Sequence, residues 1–229
     1  MPTTRTILAI AVVGALFLQK ETVKGPTAQP EKASANPGFH WNWKDWQELS
    51  AEQSLRKAKI PNKQRNAIAR AIADQLRPTC LGSEPSCVIG MREITSEAEL
   101  QQAVLDTRTA LIDLNGDGIP EVVAQGMVNC GATGNCPFWV FRKAKSGYEL
   151  LLEGEAQTFT IQTSSSNEFR DIVLARHGSY DSGDLAHYVY REGSYHEAGC
   201  YDYDWSALEG DKVRELKEPR ITPCSERNK

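Results

Sequence analysis

The sequence predicts an α+β protein, in which an N-terminal helical segment packs on an antiparallel β meander made of two four-stranded repeats. Before residue 107, apolar residues recur at helical spacing between Pro and Ser/Asn signals. From residue 108 onward the chain consists of short runs rich in Val, Ile, Phe and Tyr, separated by turn residues. The third observation is an internal similarity at an offset of about 50 residues.

The predicted organisation has five parts, which differ in hydropathy and composition. They are a signal peptide or N-terminal anchor (1–19), a flexible linker (20–38), a helical segment (39–107), a β-repeat domain (108–203) and an irregular C-terminal tail (204–229).

The N-terminal part indicates export. Residues 7–18 form an unbroken apolar run that suits the core of a signal peptide and falls short of the roughly 20 residues that span a bilayer. The run leaves open whether the segment is cleaved or retained as an anchor. With a net charge of −4, the 229-residue chain has no overall basic character typical of nucleic-acid-binding proteins. We therefore expect a periplasmic or secreted protein.

Six cysteines support an oxidising compartment, because an even number in an exported chain is typical of disulfides. Sequence alone does not choose among the possible pairings, but proximity along the chain favours neighbours. The favoured pairs are Cys80–Cys87, Cys130–Cys136 and Cys200–Cys224. The rival interpretation, a zinc site, is disfavoured because the spacings exceed those of usual zinc knuckles.

The helical segment opens with three tryptophans, Trp41, Trp43 and Trp46, which suggest either helix-to-sheet packing, the favoured interpretation, or a sugar-binding platform. Three helices are then predicted. The first starts at N-cap Ser50 and ends near Lys59, the second is capped by Asn62 and ends at Pro78, and the third runs from N-cap Ser96 to Asp106.

Eight strands are predicted after residue 108, and their short connections imply antiparallel pairing. They cover residues 110–114, 121–127, 138–142, 148–153, 158–163, 171–176, 187–192 and 195–200. The repeat is visible in EVVAQG (121–126) against DIVLAR (171–176), and in WVFR (139–142) against YVYR (188–191). Each copy reads as one four-stranded unit.

The loop between the first two predicted strands has the oxygen-rich pattern of a calcium site. Asp113, Asn115 and Asp117 alternate along a glycine-containing turn, and the Ile119 carbonyl and the Glu121 carboxylate complete the predicted ligand set. An EF-hand would require a Glu at the twelfth position of the loop and helices on both sides. Here that position is an alanine, and the flanks predict strands. The alternative is a tight hairpin turn that binds no metal.

The stretch 110–126 resembles the hairpin calcium loop of FG-GAP and VCBS-type repeats, which build the propeller of integrin α-subunits. The resemblance implies propeller-blade-like units and a weak, structural Ca²⁺. In the second copy, the positions of Asp113, Asn115, Asp117 and Glu121 are occupied by Thr163, Ser165, Asn167 and Asp171. Most of the carboxylate charge is absent there, so one calcium site is expected. Because two blades cannot close a propeller, we expect the two sheets to pack on each other.

For function, the sequence favours an exported, non-enzymatic binding module whose partner is an unidentified protein, glycan or cell-wall polymer. No nucleic-acid partner is expected, and no catalytic residue is assigned with that function. The alternative is a hydrolase of unrecognised type that uses the region from His177 to His187, where His and Asp side chains cluster in the sequence. The disulfide-closed loop 130–136 is a further candidate contact loop, although a plain bend between two strands is the favoured interpretation.

Overall fold

A computed structural model describes residues 54–83, 86–90, 92–209 and 212–224, all of which belong to one compact unit of the chain. These residues form two helices and eleven strands with antiparallel pairing throughout, so the protein is α+β, as predicted. The predicted signal segment, the linker and the three clustered tryptophans lie outside the described residues. No described helix is long and apolar enough to cross a membrane.

Two of the three predicted helices are present. Helix α1 (Asn62–Leu81) buries Ile68, Ile72 and Leu76, the four-residue spacing on which the prediction was based. Helix α2 (Glu97–Asp106) begins as predicted at N-cap Ser96, whose hydroxyl accepts the Glu99 N–H. In return, the Glu99 carboxylate accepts the Thr95 N–H at 2.9 Å, which satisfies a second donor at the helix start.

The predicted end of α1 at Pro78 is wrong, because the helix continues to Leu81 with the proline inside it. A proline so close to the end removes only one intrahelical hydrogen bond. The disulfide between Cys80 and Cys87 also ties the last turn to the following segment. The N-cap of α1 is Pro61, one residue earlier than the predicted Asn62.

The predicted helix at 50–59 is also wrong over its described part. Ser54 forms a β-bridge with Arg108, and the residues that follow it form a turn. The N–H of Leu55 donates to the Thr107 carbonyl at 2.8 Å, so tertiary pairing replaces the hydrogen bonds of a helix. The side chain of Leu55 is fully buried, which explains the apolar residue at this point.

Three antiparallel sheets contain the strands. A two-stranded hairpin comprises β1 (Val88–Ile89) and β2 (Arg92–Glu93). The first large sheet comprises β3 (Arg108–Ile112), β4 (Glu121–Gln125), β5 (Cys136–Ala144) and β6 (Gly147–Ala156). The second comprises β7 (Thr158–Ser166), β8 (Phe169–His177), β9 (Ser182–Arg191), β10 (Ser194–Glu209) and β11 (Lys212–Pro223). Both large sheets are meanders in which each strand pairs with the next.

The sequence predicted an irregular C-terminal tail (204–229), and this prediction is wrong over the described part of the tail, which is largely β-strand. Strand β10 extends to Glu209, and β11 pairs with it along most of its length, which gives the second sheet a fifth strand. The segment lacks the alternating apolar pattern of a half-buried strand because it lies at the sheet edge and is mostly exposed. Main-chain pairing and the Cys200–Cys224 disulfide hold it in place.

The core has three layers: helices, first sheet and second sheet. Val122, Ala124 and Trp139 on one face of the first sheet belong to a cluster shared with both helices. Residues on its other face, including Val123, share a cluster with Ile172 of the second sheet. A Cβ at Gly154 would lie 2.6 Å from Leu174 Cδ1, so the two sheets approach closely there.

The two large sheets repeat each other in register. In hairpin β3–β4, Ala110 pairs with Val123, and in hairpin β7–β8, Thr160 pairs with Val173. Both strands are thus displaced by 50 residues with their pairing unchanged. Each large sheet contains a further hairpin, β5–β6 in the first sheet and β9–β10 in the second. The pairing register of these hairpins shifts at Leu151 of β6 and at Ala198 of β10, which are unpaired. Each bulge lies three residues after a tyrosine, at Tyr148 and Tyr195 respectively.

Candidate metal centre

The predicted calcium loop connects β3 to β4, and its first residue organises the turn. The Asp113 carboxylate accepts the Gly116 N–H at 2.7 Å and the Gly118 N–H at 3.0 Å. Both glycines have positive φ, +75° and +81°, which is the left-handed region that favours glycine. The sequence predicted a glycine-containing turn, and glycine occupies both positions where the backbone enters this region.

The next two predicted ligands are bonded to each other and to the loop backbone. Asn115 accepts the Asp117 N–H through its side-chain oxygen at 3.1 Å, and its amide nitrogen donates to the Asp117 carboxylate at 3.0 Å. Asp117 in turn accepts the Ile119 N–H at 2.6 Å. Side-chain oxygens at alternate positions therefore fold the backbone into a succession of tight turns.

Glu121, the last predicted ligand, is only 1 % exposed at the start of β4. Its Oε2 accepts the Leu114 N–H at 2.9 Å. Burial raises the pKa of this carboxyl, and the negative charges of Asp117 and Asp113 raise it further. Within the described part of the chain, none of these three carboxylates forms an ion pair with a basic group. The loop is therefore a concentration of negative charge for which the described residues provide no counter-ion.

The carboxylates do not converge on one point in this structure. Nowhere among the described residues do three or more His, Cys, Asp or Glu side chains form a group able to hold a metal ion. The hydrogen bonds explain this, because Asp113 and Asp117 point at loop N–H groups while Glu121 points at Leu114. A carboxylate has about four lone-pair positions, so each of these groups keeps acceptor capacity after its N–H bonds are made. The oxygen donors suit a hard cation such as Ca²⁺ in kind, and the five predicted groups would supply most of the six to eight oxygens that Ca²⁺ takes.

The corresponding loop of the second sheet contains a different set of contacts. Ser164 donates to Asp171 Oδ2 at 2.6 Å, with the same seven-residue spacing as Leu114 and Glu121. His187 Nε2 lies 3.5 Å from the same Asp171 oxygen. Asn167 has a positive φ of +48° and donates its amide to the Tyr190 carbonyl at 2.8 Å. Asn167, which stands where Asp117 stood in the first hairpin, therefore binds the neighbouring strand β9.

The contact between Asp171 and His187 was missed in the sequence, although a signal for it was present. Residues two apart in a strand point to the same face of the sheet. Asp171 is two residues from buried Val173 on β8, and His187 is two residues from buried Leu185 on β9, so each polar residue is expected on a buried face. Burial lowers the pKa of His187, and the charge of Asp171 opposes that shift.

The histidines of the alternative hydrolase prediction do not share a site. His177 pairs with Gly183 and His187 with Val173, four residues further along the ladder, which separates them by about 13 Å. His177 lies in the polar end of β8, where its Nε2 is 3.3 Å from the Tyr180 carbonyl. His187 is 3 % exposed and has little access to a substrate.

The three disulfides predicted from proximity are all present: Cys80–Cys87, Cys130–Cys136 and Cys200–Cys224. No cysteine is free. The loop closed by Cys130–Cys136 also connects the two sheets. The Asn135 side chain accepts the His177 N–H at 2.8 Å and donates to the His177 carbonyl at 2.9 Å, so it pairs with β8 as a strand backbone would.

Comparisons of the chain with protein-family models, with curated proteins and with solved structures find no match.

Proposed function

We propose that this protein is an exported, non-enzymatic binding module in which a structural Ca²⁺ braces the hairpin between β3 and β4. The observation that carries the calcium assignment is the uncompensated charge of Asp113, Asp117 and Glu121. Three disulfides indicate an extracellular or periplasmic environment, where free calcium is available to weak sites.

The charge of the loop gives the physical reason for a cation. Like charges held close together destabilise the fold, and burial makes ionised Glu121 more costly still. A divalent cation would offset both effects, with Asp113, Asn115, Asp117, the Ile119 carbonyl and Glu121 as ligands. Bound Ca²⁺ would supply only charge compensation and cross-linking of the loop. Without a bidentate Glu at the twelfth position, we expect a weak site with a Kd of about 10⁻⁴–10⁻³ M.

The stacking of the sheets supports the resemblance to FG-GAP-type blades. Val123 of the first sheet faces the second sheet, whereas its counterpart at an offset of 50, Val173, faces away from the first. The second sheet instead presents Ile172 and Leu174 to the first. The sheets thus stack head to tail, and equivalent faces do not meet. Repetition around a propeller axis requires this arrangement, because every blade must offer opposite faces to its two neighbours.

A retention assay tests the binding function. Full-length protein would be passed over columns of purified cell-wall polysaccharide, with peptide, ester and glycan substrates assayed in parallel. We expect retention on a polymer column and no turnover. Turnover that is lost in His187→Ala, with the melting temperature of that variant unchanged, would overturn the non-enzymatic assignment and favour the hydrolase.

A further inference from the structure

A groove with a volume of about 760 Å³ lies between the start of α1 and the turn that joins β5 to β6. Lys63 and Arg70 line it from the helix, and Lys143 and Lys145 line it from the turn. The floor includes Tyr148 and Gln64, which are partly buried.

The groove is positively charged in a protein whose net charge is −4. All four cationic side chains are exposed, and no Asp or Glu is among the lining residues. In the part of the chain that the structure describes, none of the four forms an ion pair. Their charges are therefore available to a ligand, and the charge complementarity specifies an anion.

The helix end adds to this positive field. Pro61, the N-cap of α1, has no side chain that can hydrogen-bond the first turn, and that turn contains no acidic residue. Neither the N-cap nor the first turn therefore compensates the first-turn N–H groups and the positive end of the helix dipole, which lie beside the groove. Such an end attracts negative groups and reinforces the four side chains.

The spacing of the cations suits a chain of anionic groups better than a single small anion. Lys63 and Arg70 are seven residues apart on one helix face, which corresponds to about 10 Å. Lys143 and Lys145 are two residues apart at the end of a hairpin, about 7 Å for an extended chain. A single phosphate or carboxylate would reach only part of this set.

The floor offers neutral hydrogen-bonding groups suited to hydroxyls. Gln64 donates to the Tyr148 hydroxyl at 3.1 Å, which leaves the phenolic hydrogen and the Gln64 carbonyl oxygen for a ligand. We propose that this groove binds an anionic polysaccharide, a sugar chain whose carboxylate or phosphate groups meet the four cations while its hydroxyls meet the floor. This inference rests on the proposed binding function and specifies its partner. The disulfides favour a sugar polymer over a nucleic acid, because they indicate a compartment outside the cytosol.

Titration of the full-length protein with defined polymers tests the proposal. The probes are polygalacturonate for carboxylate, phosphomannan for phosphate, neutral dextran and a single-stranded oligonucleotide, at about 20 mM and about 200 mM salt. We expect binding to at least one anionic polysaccharide that weakens at the higher salt, and none to dextran. Which of the two binds identifies the anionic group.

Charge-reversal variants locate the binding. K143E/K145E should weaken binding by about tenfold or more, since it reverses two of the four charges. K212E/K217E on β11 makes the same change in net charge at exposed positions outside the groove and should leave affinity within about twofold. If K143E/K145E does not fold, as judged by circular dichroism, K63E/R70E tests the opposite wall of the groove.

Equal losses in the groove variant and the K212E/K217E control would overturn the proposal, as would equally tight binding of the oligonucleotide. Retention on the polysaccharide column that K143E/K145E leaves unchanged would overturn the groove assignment and leave the proposed binding function intact.

Discussion

Hairpins β3–β4 and β7–β8 have the same strand register but opposite loop chemistry. In the first, three carboxylates gather around a turn and have no basic partner among the described residues. In the second, one carboxylate, Asp171, has a serine and a histidine as its neighbours. A buried acid at the start of the second strand is thus common to both. In hairpin β7–β8, protein side chains stabilise this acid. In hairpin β3–β4, our proposal assigns that role to a bound cation.

The interactions that fix the strand register are separate from the residues that occupy the loop. Register follows from main-chain pairing, which is unchanged at an offset of 50, and from apolar residues on each face. Val122 and Val123 of β4 correspond to Ile172 and Val173 of β8. Loop residues contribute little to that core and are free to change. A metal loop can therefore lose its ligands while the unit keeps its fold.

The largest expected effect concerns the stacking of the two units. Ile172→Ala removes a fully buried side chain between the sheets and should lower the free energy of unfolding by about 2–5 kcal/mol. Val122→Ala, at the equivalent position facing the helices, should cost less because valine is smaller. Urea denaturation with an unchanged slope measures both. A loss below about 1 kcal/mol for Ile172→Ala would contradict a shared core.

The disulfides provide a second comparison between the units. Cys200 and Cys224 are 24 residues apart, and Cys130 and Cys136 are 6 apart. Loop entropy predicts that replacing both partners by serine costs about 3.5 kcal/mol in the first case and about 2.4 kcal/mol in the second. Thermal unfolding of the two double-serine proteins checks the order, and a reversed order would show that contacts such as that of Asn135 outweigh loop closure.

Calcium should distinguish the two hairpins directly. At about 10 mM Ca²⁺ a site with the expected Kd stabilises the folded state by about 1.4–2.7 kcal/mol, which raises the melting temperature by about 3–10 °C. Asp113→Ala should abolish this rise. Thr163→Ala, the matched change in the second hairpin, should leave it unchanged. An identical melting temperature of the wild type in calcium and in EDTA would show that the loop is only a turn.

The smallest expected effect is a pH dependence that originates at Glu121. Because the folded-state pKa of this carboxyl is raised above its ordinary value of 4.5, the folded protein binds its proton more tightly than the unfolded chain. Its contribution to stability is therefore lost as pH rises from about 4.5 through the raised pKa. Glu121→Gln in EDTA should flatten this decline, as measured by denaturation at successive pH values. A parallel decline in the variant would assign it to another group.

Local signals in the sequence predicted most of the fold. All eight predicted strands correspond to β3–β10, because each combines β-branched or aromatic residues with a nearby turn signal. The capping box at Ser96 and Glu99 placed α2 correctly, and proximity placed the disulfides. In each case the interaction partners lie within a few residues of one another or within one sheet.

The errors arise where the sequence carries no local signal for the contact that decides the structure. The stretch after Ser54 has a helical pattern, but the N–H groups of Leu55 and Arg56 donate to the carbonyls of Thr107 and Leu105. Strand β11 has no buried face, so its sequence lacks the alternation of apolar and polar residues that would have predicted its pairing with β10. In the candidate site, the alternating oxygens and the glycine conformations could be predicted. The orientation of Glu121 towards Leu114 could not, because spacing alone does not fix the direction of a side chain.

The head-to-tail stacking also bears on how such a chain can grow. One residue, Gln157, joins the last strand of the first sheet to the first strand of the second. A further copy of the unit would have the same two faces as these sheets. A third copy of the unit, inserted at this junction by gene duplication or by design, would meet complementary faces on both sides. In the proposed repeat architecture, the size of the protein would therefore depend on the number of copies as well as on the fold of each copy.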